Sequence, residues 1–337
     1  MEQQVSLPQM LSAREQRAEA QQRMLASAGI PVVSFTMNIP GPVKNTPLIR
    51  RAFQEGVERL HAAIAQAGHT ITAGQSQASA PTGCEGLWAV RGDSRIIKAL
   101  CIELEEQDAL GRLFDLDVLD QQHGIWSREE LGAAPRTCLV CGQPGKGCAS
   151  RRLHTVQELQ AATEDILRSY FSRKDRRRLA STAVRALLYE VCATPKPGLV
   201  DRHNNGSHRD MDIFTFVDST AALIPYLEDA AQMGQETAAL PPEETFRRLR
   251  RRGLLAEQEM FQATGGINVH KGAIFSVGTI CAAAGRLWTP DGSPPETEAI
   301  LRECSAMAAA TLQQELDAIR PGNTDTAGRR LYLGYGG

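Results

Sequence analysis

No strong charge of either sign runs over this chain. The formal net charge is −2 over 337 residues, so no global field marks a nucleic acid or an anionic membrane as a partner. No apolar run is long enough to span a bilayer. The amino terminus lacks a short apolar core with a small-residue cleavage site, so no secretory signal is expected. No internal repeat is visible, and neither the P-loop nor the dinucleotide-binding pattern occurs. Cysteine is present but unconcentrated: eight thiols are scattered through a chain long enough to bury a core without disulfides. The expected compartment is the cytoplasm, with those thiols reduced.

What remains is an ordinary soluble balance, 42% hydrophobic and 23% charged, in a length comfortable for two domains. Two basic runs, Arg173 to Arg178 and Arg247 to Arg252, could meet a polyphosphate, but such runs more often lie on solvated helix faces or linkers. The halves differ in texture. Residues 10–27 predict a mostly exposed helix, and 31–37 a strand. Thr46 and Pro47 supply the N-cap and first turn of a helix whose stripe is Ile49, Phe53, Gly56, Val57, Leu60 and Ile64. Gly86 to Val90 predicts a strand, Ile96 to Glu106 a helix, and Leu113 to Leu119 an alternating strand. From Ser181 onward, five segments predict helices: 182–192, 213–233, 243–261, 270–285 and 296–319. The fold class expected is therefore two domains. The first is α+β, a mixed sheet with helices over 1–172; the second is mostly α-helical over 173–337. The basic stretch 172–178 should interrupt the patterning between them.

Four constellations carry chemistry. Asp115 and Asp117, two apart on a strand, share one face. A magnesium ion between them would relieve their repulsion and could bridge a polyphosphate, whereas the bland alternative is the wet face of an edge strand. Cys138, Cys141, Cys148 and His154 could close a tetrahedral zinc site, although only the opening Cys-x-x-Cys has a common spacing. Reduced thiols in a Gly-rich loop are the competing account. The stretch 195–212 crowds Asp201, His203, His208, Asp210 and Asp212 among prolines, glycines and asparagines, more acids and imidazoles than a turn requires. Finally, Thr264-Gly-Gly-Ile-Asn-Val-His-Lys271 leads into a helix start suited to anions, with Lys271 adding a charge beside Asn268 and His270.

These residues also carry two family resemblances. Val33-Ser-Phe-Thr36, Pro40-Gly-Pro-Val-Lys44, Ile102-Glu-Leu-Glu105, Leu110-Gly-Arg-Leu-Phe-Asp-Leu-Asp-Val118 and Arg136-Thr-Cys-Leu-Val-Cys141 through Cys148 resemble CitX, the apo-citrate lyase phosphoribosyl-dephospho-CoA transferase. Pro195-Lys-Pro-Gly-Leu-Val-Asp-Arg202, Asn205-Gly-Ser-His-Arg-Asp-Met-Asp212 and Gly265-Gly-Ile-Asn-Val-His-Lys-Gly-Ala-Ile-Phe275 resemble CitG, the triphosphoribosyl-dephospho-CoA synthase. Together the chain is similar to fusions of the two, with a CitX-like domain over 1–172 and a CitG-like one over 173–337. Synthases of this type continue past a segment like Leu331-Tyr-Leu-Gly-Tyr-Gly336, so either a shortened second domain or a fragment of a longer chain is expected here.

The resemblance implies a bifunctional transferase. One half joins ATP to dephospho-CoA with release of adenine. The other moves phosphoribosyl-dephospho-CoA onto a serine of the citrate lyase acyl carrier subunit with release of pyrophosphate. ATP and dephospho-CoA are then substrates, the acyl carrier (gamma) subunit the protein partner and Mg2+ the cofactor; structural Zn2+ at the cysteines rests on their spacing alone, with reduced thiols as its alternative. Asp115, Asp117, Asp210 and Asp212 become the catalytic candidates, and Asp115, Asp117, Asp201 and Asp210 the magnesium ligands. Phosphate and substrate contacts fall to Lys44, Arg112, Lys196, Arg202, Asn205, His208, Asn268, His270 and Lys271. Two rivals remain at this point: a zinc-stabilised, non-enzymatic adaptor, and a metal-dependent ADP-ribosyl hydrolase.

Overall fold

The computed structural model describes residues 3–317. The segment 331–336 and the end of the helix expected over 296–319 lie outside them. The chain divides into two compact units, one built mainly on the described residues up to Phe171 and the other mainly on Ser172–Thr289, with 293–317 joining the second.

The first unit runs α1 (Leu7–Ala28), β1 (Val32–Met37), α2 (Pro47–Gln66), β2 (Thr70–Gln77), β3 (Glu85–Arg91), α3 (Ser94–Glu106), β4 (Phe114–Asp120), β5 (Gly124–Ile125) and α4 (Gly145–Arg151). Its strands pair in the order β2-β3-β1-β4-β5. Every pairing is antiparallel, which corrects the expected mixed sheet. Alternation shows which face a strand buries, but not the direction of its neighbour. The missed strand β2 is almost wholly exposed, so it has no apolar alternation to betray it.

Period two in β4 holds as expected. Phe114, Leu116 and Val118 are buried, and Phe35 stacks on Phe53 at 4.9 Å and meets Phe114 edge-on at 5.2 Å. Thr46 caps α2 by accepting the Ile49 N–H. Of that helix's stripe, Ile49, Phe53, Gly56, Leu60 and Ile64 are buried and Val57 is half-buried. The opposite sheet face meets α1, where Leu25 packs with Val32, Leu87, Ala89 and Leu119. On the same face Gln21 donates to Ser34 Oγ at 2.8 Å, and Arg17 pairs with Glu85 at 2.8 Å. Asp115 and Asp117 stand on this face, in register with Thr36 and Ser34 of β1.

A single helix, α5 (Val156–Cys192), runs through the basic stretch 172–178, where the patterning was expected to be interrupted and where the two units divide. Arg173 to Arg178 are good helix formers, and a charged face continues a helix as readily as an apolar one. The other basic run sits on α8 (Pro242–Ala263), where Arg252 pairs with Asp229 at 2.7 Å and Glu259 at 3.2 Å.

The second unit also holds α6 (Ile213–Ala222), α7 (Ile224–Glu236), α9 (Lys271–Arg286) and α10 (Thr297–Asp317). The segment expected to be one helix over 213–233 is two, joined at Leu223. Pro225, in the first turn of α7, cannot donate into a preceding turn and therefore starts a helix where it would break one. Helices α7 and α9 pack tightly through buried Ala230, Ala231, Ala282 and Ala283. A side chain on Gly285 would collide with the Ala231 carbonyl.

Candidate functional site

In the first unit the site begins at the flank of β4. The Leu116 N–H donates to Glu105 Oε1 at 2.9 Å, and the Leu116 carbonyl accepts from Lys98 Nζ at 2.7 Å. Two side chains of α3, seven apart and thus on one helix face, thereby satisfy backbone groups that a neighbouring strand would otherwise take. Lys98 and Glu105 are only 5% and 4% exposed. Burial pushes the Glu105 carboxyl up, against the pull of Arg136. Its oxygens also receive Arg128, at 3.1 Å, and Arg136.

This buried carboxylate organises charge around the paired aspartates. Arg136 reaches Asp115 Oδ1 at 3.3 Å, and Lys98 approaches Asp117 Oδ1 at 4.0 Å. Both aspartates are about half exposed at their side chains. Partial burial, and secondly the Asp115 charge, raise the Asp117 carboxyl above its ordinary value. The like charge on the same strand face adds to the shift that burial causes, and a cation there would oppose it. β5 pairs with β4 only at Leu119 and Asp120, so beside Asp115 and Asp117 that flank of the strand is an edge, covered by Lys98 and Glu105 in place of a strand.

Arg136 also lines a cleft of about 1240 Å³, together with Arg112, Arg128, Arg152, Asn38 and Glu105. Arg112 donates to the carbonyls of Thr137 (3.3 Å) and Cys138 (2.9 Å) and to Thr137 Oγ1 (3.0 Å). Lys44 is half-buried, donates to the Ile39 carbonyl, and has its ammonium pKa lowered, first by burial and then by Arg14. Lys98, Glu105, Arg128 and Arg136 had no assigned role from sequence. The usable signal was the pair of charges on the buried stripe of α3, beside Ile97, Cys101 and Ile102.

Cys138, Cys141, Cys148 and His154 come together as their spacing allows. Their ligand atoms all lie within 4.8 Å of one another. Cys138, Cys148 and His154 also line the cleft.

In the second unit, the loop between α5 and α6 is built around Asp201, 4% exposed. Its carboxylate accepts the backbone N–H groups of Lys196 (3.0 Å), His203 (2.7 Å) and Asn204 (3.0 Å). These backbone donors, Asn204 first, hold its pKa down. Gly206, at φ 58°, passes so close to Gly198 that a side chain there would strike the Gly198 backbone. Asp212 caps α6 by accepting the Thr215 N–H at 2.9 Å. Arg202, Asn205 and Asp210 are exposed, and His208 Nδ1 stands 3.9 Å from Asp210 Oδ1.

The Gly-rich turn Gly265–Gly266 delivers His270 to the start of α9, where it is 5% exposed. Its Nδ1 lies 2.7 Å from Ser219 Oγ, and its ring meets Phe216 edge-on at 5.2 Å. The start of α9 is thus fastened to α6, the helix that the acidic loop feeds. Burial lowers the His270 pKa, opposed by Glu190, and Glu190 also pairs with Lys196 at 2.8 Å. Two motifs some sixty residues apart in sequence therefore share a neighbourhood. Lys271 turns instead to Glu257, at 2.6 Å, and Asn268 is exposed.

Comparison with known proteins follows the same division. Residues 5–170 match the family model of the apo-citrate lyase phosphoribosyl-dephospho-CoA transferase (CitX). Residues 176–336 match that of the ATP:dephospho-CoA triphosphoribosyl transferase (CitG). The Protein CitXG of Haemophilus influenzae is 36% identical over 337 residues, covering 98% of this chain and 71% of that protein. An apo-citrate lyase phosphoribosyl-dephospho-CoA transferase of Citrobacter koseri is 39% identical over 163 residues, 48% of this chain and 88% of the relative. A 2-(5''-triphosphoribosyl)-3'-dephosphocoenzyme-A synthase of Klebsiella pneumoniae is 42% identical over 158 residues, 47% of this chain. The chain spans about half of that synthase's length, 52%. The chain belongs to the CitXG family of bifunctional transferases in citrate lyase prosthetic-group maturation, which sets aside the adaptor and hydrolase readings.

Proposed function

We propose that this CitXG-family chain carries out both steps, one in each unit. In the second unit a ribose hydroxyl of dephospho-CoA displaces adenine at the anomeric carbon of ATP. In the first, a serine hydroxyl of the citrate lyase acyl carrier subunit attacks the α-phosphorus of the product's triphosphate, and pyrophosphate departs. The observation that carries the transferase half is the Asp115–Asp117 pair, held on one strand face with Arg136 at 3.3 Å from Asp115.

Charge accumulates on the leaving pyrophosphate, so positioned cations are what such a site must supply. Arg136 is held in place by Glu105, and Arg128 and Arg152 add positive charge to the cleft. The half-exposed carboxylates of Asp115 and Asp117 fit a hard cation that keeps part of its water shell. Asp115 and Asp117 would hold magnesium there, and it would supply positive charge against the departing pyrophosphate. Arg112 is a positioning residue in this reading, because its donors hold the 137–138 backbone.

In the synthase unit we assign Asp201 to building the loop, since three backbone N–H groups occupy its carboxylate. Asp212 starts α6. Asp210, exposed beside His208, is the group free to deprotonate the attacking hydroxyl or to hold magnesium. Lys196, Arg202, His208, Asn205 and Asn268 border the triphosphate, with Lys271 swinging from Glu257, and His270 fastens the floor. We place this work in the cytoplasm, where the eight free thiols stay reduced.

The test separates the two steps. Adenine release should require dephospho-CoA and should fall ~10²-fold in Asp210→Asn. Pyrophosphate release from the prepared precursor should require the acyl carrier subunit and survive in that variant. Adenine release indifferent to dephospho-CoA would defeat the synthase assignment. Pyrophosphate release indifferent to the carrier would defeat the transferase one.

A further inference from the structure

The segment from Trp126 to Thr155 contains little regular structure and little apolar cover. Val140 and Leu153 are 40% and 58% exposed. Something other than a core must hold it, because ordering irregular backbone costs roughly 1–2 kcal/mol per residue. A sequence of local devices gathers four side chains instead. The Thr137–Pro144 bridge closes a tight loop. Within it, the Cys138 N–H donates to Gln143 O at 2.7 Å, and Gly142, at φ 71°, donates to Cys138 O at 3.1 Å. That turn puts Cys138 and Cys141 on one side. Helix α4 then brings in Cys148, and a Leu153 N–H to Cys148 O bond of 3.1 Å returns the chain so that His154 arrives last.

We propose that Cys138, Cys141, Cys148 and His154 bind one Zn2+ as a closed structural site, which forms part of the wall of the arginine-lined cleft. Three observations converge. All four ligand atoms lie within 4.8 Å of one another. A tetrahedron with Zn–S near 2.3 Å and Zn–N near 2.0 Å has edges of about 3.5–3.8 Å, so the widest separation closes by about 1 Å on binding. His154 Nε2 is buried without a hydrogen-bond partner, a costly state that a metal bond removes. A Cys141–Cys148 disulfide is the competing chemistry, since those sulfurs are 3.4 Å apart. It would leave Cys138 and the orphaned imidazole unexplained.

The position gives the metal a consequence. Arg112 is bonded to the carbonyls of Thr137 and Cys138, and Arg136 lies two residues before Cys138. Metal loss therefore loosens the segment that carries Arg136 and that Arg112 binds, while the sheet with Asp115 and Asp117 stays folded. With four protein ligands the zinc has no open position, and it takes no part in bond making.

Elemental analysis of the full chain, purified under reducing conditions without chelator, should give one zinc per chain. Cobalt(II) exchanged into the site should show an intense thiolate-to-cobalt charge-transfer band. That band should be lost in Cys138→Ser and Cys148→Ser and retained in His154→Cys, which restores a fourth soft ligand. Far-ultraviolet circular dichroism reports whether each variant remains folded. Metal-free protein with no charge-transfer band on cobalt titration would overturn the proposal. So would a Cys141–Cys148 disulfide in anaerobically prepared protein, or undiminished zinc in a folded Cys138→Ser/Cys148→Ser double variant. None of these readouts depends on catalytic turnover, so the zinc assignment and the transferase assignment fail separately.

Discussion

At the scale of single residues, position decides which acids and imidazoles have chemistry left to offer. Asp201 and Asp212 looked from sequence like the neighbours of Asp210, yet the first accepts three backbone N–H groups and the second caps a helix. His270 is the clearest case for a measurement. Burial lowers its folded pKa below the ordinary value near 6.5. As pH falls the unfolded chain takes the proton first, so this contribution to stability is complete above the unfolded value. It is lost as pH drops through that value toward the folded one. Denaturant melts of the second unit at pH 7.5 and 5.5 should show wild type weaker at the lower pH and His270→Asn with a smaller difference. An equal pH dependence in both would remove His270 as the source. The shared face of Asp115 and Asp117, the Thr46 cap and the nearness of Cys138 to Cys141 were legible in the sequence, because local spacing determines each; Cys148 and His154 are brought in by α4 and the turn after it. Lys98, Glu105 and Arg136 were not legible, because their roles depend on partners brought near only by tertiary packing.

At the scale of elements, α3 and β4 make one functional unit, because Lys98 and Glu105 complete the hydrogen bonding of the strand that presents the aspartates. Removing Glu105 leaves Arg128, Arg136 and the Leu116 N–H short of a partner. Breaking one side of such a buried network costs about 3–5 kcal/mol. Glu105→Ala should lower the denaturation midpoint of the first unit accordingly, and Glu105→Gln, which keeps an acceptor for Leu116, should lower it less. Equal losses would mean that the charge on Glu105, and not the acceptor it offers Leu116, carries the contribution. In the second unit, Gly285→Ala should destabilise by roughly 1–3 kcal/mol by forcing α7 off α9, read from thermal or denaturant unfolding. An unchanged midpoint would show that the crossing can relax. Element boundaries were legible where caps or prolines mark them. The split at Leu223 was marked by Pro225 and passed over within an apolar run, whereas the continuity of α5 was hidden because a charged run can continue a helix.

At the scale of the whole molecule, the two textures seen in the sequence correspond to two family models, matched over 5–170 and 176–336. The α+β character of one half and the helical character of the other were legible from periodicity alone. The antiparallel direction of the sheet was not, since strand direction depends on pairings distant in sequence. Division of labour has a direct consequence: a substitution at the β4 aspartates should silence transfer while leaving adenine release intact. The most direct test of the transferase assignment is the intact mass of the citrate lyase acyl carrier subunit after incubation with prepared triphosphoribosyl-dephospho-CoA and Mg2+, using wild type, Asp115→Asn and Asp117→Asn. Wild type should add the mass of phosphoribosyl-dephospho-CoA to the carrier. Each variant, folded by circular dichroism, should do so ~10²–10³-fold more slowly. A carrier modified at the wild-type rate by either variant, or left unmodified by wild type, would contradict the account.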